Sequence, residues 1–293
     1  MVGEVVSLLA PQSGGVFVDG TVGGGDHSQA LLDVMGLNGR LICIDKDRHA
    51  LETAQNRLTP AAQKKQVRLD FIHSDFRRID EILKNLNLAF ADGIVADLGV
   101  SSMQLDQGER GFSFRKEAPL DMRMDVSQGR TAAQIVAETA ESELADMLYY
   151  LGGERRSRRI ARYIVAERER TPILTTMQLA QLVRRAVGAA RCGKVDAATR
   201  TFQALRMCVN DELGALAEFI QKAPALLNAE GTLAIIAFHS GEDRLVKKRF
   251  KELSQTGRFK VLSKHVLRPS SEERKNNPRS RSARVRGLRV VLP

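Results

Sequence analysis

The stretch GVFVDGTVGGGDHSQALLDVMG, residues 15–36, reads as a short apolar strand ending in an acid, a glycine-rich turn and an opening helix. Glycines in such a turn permit positive φ and let the backbone come close to a ligand. The helix N-terminus beyond them offers free N–H groups and partial positive charge, suited to a carboxylate or phosphate. A Gly-rich turn with no ligand is the plainer alternative. The turn does not spell GxGxxG, which disfavours a nicotinamide oxidoreductase.

Working outward, LICID (41–45) is a second apolar run ending in an acid, and VRLDFI (67–72) and GIVADLG (93–99) read as strands three and four. Buried parallel strands show continuous apolar runs, and this alternation with helical stretches implies a parallel sheet with crossover helices. The rhythm then stops from about Gln104 to Asn228. ELADMLYYLG, RRIARYIVAERER and LAQLVRRAV carry apolar residues at helical spacing, and FQALRMCVNDELGALAEFI reads as one long amphipathic helix that returns the chain to the sheet. Strand signals resume with GTLAIIAF (231–238), RFKVLSK (258–264) and GLRVVLP (287–293), which makes four strands before the break and three after it. The expected division is a Rossmann-like domain, 1–103 and 200–293, with an inserted helical subdomain, 104–199. RPSSEERKNNPRSRSARVR (268–286) reads as a polar, basic loop between the last two strands.

In 293 residues the formal net charge is +10. Such an excess favours polyanionic partners. The three cysteines, Cys43, Cys192 and Cys208, form no CxxC pair, and the five histidines show no ligand spacing, so neither a disulfide framework nor a metal site is expected. The N-terminal stretch lacks the basic region of a signal peptide, and no apolar run reaches the length of a membrane span. A cytoplasmic protein is the expectation.

Candidate site residues cluster at the expected strand ends, where open α/β sheets bind ligands. Asp45 ends strand two, where a carboxylate can accept both ribose hydroxyls of an adenosine; a solvated strand-end acid is the alternative. Phe76, after strand three, could pack on an adenine ring or be an ordinary core residue. Asp97 follows strand four, and His239 and Ser240 follow strand five beside it. A lone histidine is more often structural than catalytic. At this strand end, His239 is a catalytic candidate together with Asp97.

The chain resembles the RsmH/MraW family of bacterial enzymes that methylate the exocyclic N4 of a cytidine in small-subunit ribosomal RNA. The matching stretches are DGTVGGGDHS, DLGVSSMQLD, ERGFSF (109–114), PLDMRMD (119–125), ATRTFQALRMCVNDEL (198–213), FHSGEDRLVKKRF and NPRSRSARVR (277–286), in order over nearly the whole chain. PLDMRMD and TRTFQALR are far more specific than any Gly-rich turn. The resemblance implies a class I S-adenosylmethionine-dependent methyltransferase fold, whose seven-stranded sheet ends in an antiparallel pair, with a helical insert. It implies S-adenosylmethionine as cofactor, contacted by Gly25, Asp26, His27, Asp45, Phe76, Asp97 and Gln104. The implied substrate is 16S rRNA near the decoding centre, the implied partner is the small ribosomal subunit, and a homodimer is plausible. Three departures stand out: Asp26 and Gly241, where the family usually has Gly and Leu, and the absence of a His-Xaa-Pro segment near the N-terminus.

The reaction then needs Asp97, or a carbonyl near Gly99, to accept an N–H of the target amine. DNA amino-methyltransferases commonly place a Pro-Pro motif after strand four; DLGV here lacks it. Two basic stretches could hold RNA: ERRSRRIARYIVAERER, and residues 244–289, with sixteen Lys/Arg against three acids. A solvated basic face is the plainer reading of each alone. A methyltransferase for another substrate is the enzyme alternative. An RNA-binding or assembly factor with weak or no turnover is the alternative of a different class.

Overall fold

The computed structural model describes residues 1–11, 13–188, 196–263 and 265–291, in two compact units: 1–99 with 213–293, and 100–212. Cys192 lies outside the described residues; Cys43 and Cys208 are free thiols. Among the described residues no helix is long and apolar enough to cross a membrane.

The first unit is built on β1 (Val16–Asp19), β2 (Arg40–Asp45), β3 (Arg68–His73), β4 (Ala91–Asp97), β5 (Leu227–Ala237), β6 (Phe259–Val261) and β7 (Arg284–Val290). Their order is β3-β2-β1-β4-β5-β7-β6. The pairs β3-β2, β2-β1, β1-β4 and β4-β5 are parallel, and β7 runs antiparallel to both β5 and β6. This is the seven-stranded class I methyltransferase arrangement that the resemblance implies, and its seven strands agree with the strand count. The order reverses between β1 and β4, whose carboxyl ends carry Asp19 and Asp97.

The strands read as unbroken apolar runs because both faces are covered. Along β2, Ile42 and Ile44 enter one core with Phe219, Val246 and Phe250. Leu41 and Cys43 enter the other, with Val5, Leu31 and Leu58 from the helices Val2–Leu9, Asp26–Val34 and Arg48–Lys65. Alternate side chains along a strand point to opposite faces, so each of these residues is buried whichever way it points.

The expected long helix is two, Ala198–Val209 and Glu212–Lys222. Asp211 between them takes φ +47°, a left-handed conformation that Asp and Asn tolerate better than other side chains. Asn210 turns its carboxamide out of the helix: Nδ2 donates to the Met122 carbonyl at 2.8 Å, and Oδ1 accepts from the Met124 N–H at 2.8 Å. PLDMRMD therefore meets the stretch ATRTFQALRMCVNDEL inside the second unit. Leu120, Met122 and Met124 are buried there with Ile160, Leu179, Phe202 and Leu205. PLDMRMD is a packed turn. Gly111 closes it at φ +74°, where a Cβ would lie 2.4 Å from the Pro119 carbonyl.

The expected loop at 268–286 is ordered instead. Ser270 caps a helix, Ser271–Asn276, by accepting from the Glu273 N–H, and a 3-10 turn, Pro278–Ser282, follows. The Ser280 hydroxyl is buried and donates to the Asn277 carbonyl. Polar composition suggested a loop, but short capping bonds give the backbone regular structure at little cost in burial.

Candidate functional site

The glycine-rich turn lies across the carboxyl ends of three strands. Gly20 N–H donates to the Val95 carbonyl on β4, and Val22 N–H to the Ile44 carbonyl on β2. Gly23, at φ +50°, donates its N–H to Asp45 Oδ2 at 2.8 Å. Gly25, at φ +84°, is the N-cap of helix Asp26–Val34 and supplies no side-chain cap, which leaves the first-turn N–H groups without one. The turn therefore has its glycines where positive φ is needed.

Asp45 Oδ1 accepts the Asp47 N–H at 2.8 Å. Each Asp45 oxygen thus takes one backbone donor and keeps capacity for another. Burial pushes this carboxyl up to about 6, against the two backbone N–H groups that favour the charged form. The ends of β2 and β3 are tied together by Ser74 N–H to the Asp45 carbonyl and by Lys46 to Asp75 at 3.0 Å. Phe76 follows, half-buried, its ring meeting Phe219 edge-on at 4.9 Å. It is thus both a core contact and a ring with an exposed part.

At the end of β4, Asp97 N–H donates to Thr21 Oγ1 at 2.6 Å, and Asp97 Oδ2 lies 3.3 Å from His27 Nε2. Asp97 Oδ1 and His27 Nδ1 are buried without a hydrogen-bond partner among the described residues. Behind them Asp19 is buried and accepts from Ser28 Oγ at 2.7 Å and from the Thr21 N–H at 3.2 Å. Burial raises the Asp19 carboxyl, opposed by the His27 charge and the Ser28 bond. For His27, burial works against the charged ring, but Asp97 beside it and the charge of Asp19 outweigh that and raise its pKa. The sequence reading missed Asp19, Thr21 and Ser28 as site residues. Their signal was present, an acid at the end of β1 and hydroxyls on both sides of the glycines.

Asp26 begins the helix with its carboxylate 2.6 Å from Arg57 Nη1, and that guanidinium also donates to the Gly24 carbonyl at 2.9 Å. The departure from Gly is therefore absorbed by a surface ion pair. His239 caps helix Ser240–Ser254: its Nδ1 accepts from Gly241 N–H and Glu242 N–H at 3.2 and 3.4 Å. Its Nε2 lies 3.0 Å from Glu242 Oε1, off the line of a hydrogen bond. The pairing of Asp97 with Ile236 brings the ends of β4 and β5 side by side. Gln104 belongs to the second unit, where it is buried and closes a capping box with Ser101.

The acceptor set fits an adenosyl sulfonium ligand. Asp45 can take a diol, part of the Phe76 ring is open, and the unpartnered Asp97 Oδ1 and His27 Nδ1 await a polar group. A family model described as the MraW methylase family matches residues 1–291. Proteins named Ribosomal RNA small subunit methyltransferase H are similar to this chain. That of Sorangium cellulosum (strain So ce56) is 45% identical over 288 residues, 98% of this chain and 89% of that protein. That of Synechocystis sp. (strain ATCC 27184 / PCC 6803 / Kazusa) is 48% identical over 284 residues, 96% and 89%. That of Solibacter usitatus (strain Ellin6076) is 44% identical over 290 residues, 99% and 98%.

Proposed function

Because the chain belongs to the MraW methylase family, we propose that it methylates small-subunit ribosomal RNA at the exocyclic N4 of a cytidine, in 16S rRNA near the decoding centre. The observation that carries this reading is Asp97: a carboxylate at the end of β4, held by Thr21 and His27, with one oxygen buried and unpartnered.

S-adenosylmethionine, the cofactor of this fold, supplies an electrophilic methyl group when bound. In the proposal Asp45 takes its ribose hydroxyls and Phe76 packs on its adenine. Gly25, Asp26 and His27 hold its methionine end, and Asp97 completes the set within the first unit. The target amine donates its lone pair to the cytosine ring, so it must be held pyramidal to react. The Asp97 carboxylate accepts one amine N–H and fixes that geometry. Positioning can lower a barrier by about 7–11 kcal/mol, whereas a general base typically gives about 10²–10⁴-fold. Orientation is therefore the larger contribution assigned to Asp97. His239, proposed from sequence as catalytic, contributes by holding the turn after β5, since its Nδ1 is engaged by the helix cap.

RNA contact draws on the exposed Arg244, Lys247, Lys248 and Lys251 of helix Ser240–Ser254. By contrast Arg284 and Arg286 are spent on Asp243, at 3.0 and 2.7 Å. The reading includes a cytoplasmic location and admits a homodimer.

The test is incubation with labelled cofactor and small subunits lacking the modification, followed by mapping of the label. One labelled cytidine N4 is expected. Label on tRNA or protein would replace the substrate. Cofactor binding without any transfer would make the chain an assembly factor.

A further inference from the structure

The chain has no Trp and three Tyr, and all three lie exposed on two consecutive helices of the second unit, Glu141–Tyr150 and Ser157–Arg168. Tyr149 is 52% exposed, Tyr150 76% and Tyr163 37%. Tyrosine ordinarily covers its ring and leaves only the hydroxyl wet, so these rings are unusual in concentration as well as exposure. Tyr149 and Tyr150 meet edge-on, centroids 5.2 Å apart at 83°. Neither ring stacks on the other, and each keeps a broad face free of its neighbour.

The second helix is rich in arginine. Ser157, Ile160, Ala161 and Ile164 take the buried face of the second helix, which turns Arg158, Arg159, Arg162 and Tyr163 outward, with exposed Arg155 in the turn before it. The Arg159 guanidinium lies 5.7 Å from the Tyr163 ring centroid. Arg155, Arg158 and Arg159 make no ion pair among the described residues, while Arg162 reaches only Glu141, at 3.9 Å. That contact joins the start of one helix to the body of the next, so the two run antiparallel. Glu141 and Glu143 lie in the first turn of the first helix, Asp146 lies one turn before Tyr149 and Tyr150, and exposed Arg155 follows Tyr150 in the turn between the helices.

We propose that this Tyr-Arg surface is a stacking platform for unpaired RNA nucleotides. The inference rests on the reading of RNA as substrate and adds where, and in what form, the strand outside the reacting nucleotide is held. Every base has a π-face, so aromatic rings take successive unpaired bases whatever their identity, and arginines follow the phosphates between them. A protein partner would also meet exposed aromatics, but the unneutralised arginines complement a polyanion. Duplex RNA hides its base faces and gains nothing from the rings.

The arrangement supplies its own probe. With no Trp, the intrinsic emission of the whole chain comes from these three rings. Titration of the full chain with decauridylate, followed by tyrosine emission, is expected to quench to saturation. Inorganic polyphosphate should bind without that quench. Tyr150→Ala should weaken decauridylate about tenfold, and Tyr150→Phe should restore affinity. Arg158→Gln with Arg159→Gln should flatten the salt dependence. RNA binding without quenching, or wild-type affinity in Tyr150→Ala, overturns the proposal. So does a dimer in sedimentation that Tyr150→Ala dissociates, since the surface would then serve a second copy. Methyl transfer to small subunits without quenching removes the platform alone. Quenching without methyl transfer supports the platform and removes the proposed reaction.

Discussion

His27 Nε2 stands 3.3 Å from Asp97 Oδ2, on a helix that begins right after the glycine-rich turn. The contact joins the two halves of the site, the turn after β1 and the end of β4. Thr21 adds a second link through the Asp97 N–H. Both act on the same carboxylate and leave its other oxygen free. His27 thus holds Asp97 from the side, as a positioning residue.

If so, the two residues act as a unit. Asp97→Asn should lower turnover at saturating cofactor by about 10²-fold or more, and His27→Ala by a smaller factor. The double variant should be little worse than Asp97→Asn alone, since His27 works through Asp97. Single-turnover kinetics, with cofactor affinity measured separately by calorimetry, decide it. Unchanged turnover in Asp97→Asn removes its role, and fully additive losses would make His27 independent.

Asp45 gives a pH dependence with a defined sign. Ribose hydroxyls donate to its ionised form, so cofactor affinity should rise as pH climbs through about 6 and level off above. Stability runs the other way. The folded pKa lies above the ordinary carboxylate value of about 3.8, so burial of the charge costs stability increasingly from there to about pH 6, and constantly beyond. Calorimetric titrations between pH 5 and 8 should show the rise in the wild type. Asp45→Asn should bind more weakly, with a flat profile across that range.

Asp26 should matter little. Its carboxylate is 73% exposed and paired with a half-exposed Arg57, the kind of ion pair that contributes about 0–1 kcal/mol. Asp26→Gly, which restores the usual family residue, should leave cofactor affinity within about twofold and the melting temperature nearly unchanged. A gain of tenfold or more in affinity would show that the acid opposes the cofactor.

Asn210 is the structural counterpart. Asn210→Leu keeps the volume but leaves the Met124 N–H and the Met122 carbonyl buried without a partner. An unsatisfied buried group costs about 1–3 kcal/mol, so a loss of about 2–4 kcal/mol is expected in denaturant unfolding. A loss below about 0.5 kcal/mol would mean that the PLDMRMD turn is held by packing alone.

The strands were legible because a sheet buried on both faces leaves unbroken apolar runs, and the acids Asp19, Asp45 and Asp97 mark three of their carboxyl ends in plain text. The glycine-rich turn was legible because positive φ restricts residue choice. Less was visible where one segment serves two partners. FQALRMCVNDELGALAEFI keeps helical periodicity throughout, yet its first half packs with Ile160 and Leu179 and its second with Ile44 and Phe250. Periodicity reports that a face is buried, and it cannot report against what.

Local spacing by itself determined the sheet, the turn and the candidate acids, because backbone geometry and burial act on neighbouring residues. Tertiary structure alone decided that His27 pairs with Asp97 across seventy residues of chain. It also decided that Asn210 bridges to Met122 and Met124, and that His239 caps a helix. It left three tyrosines facing water. Those outcomes depend on which polar atoms meet after the chain has closed on itself, and a one-dimensional pattern of side chains carries no record of such meetings.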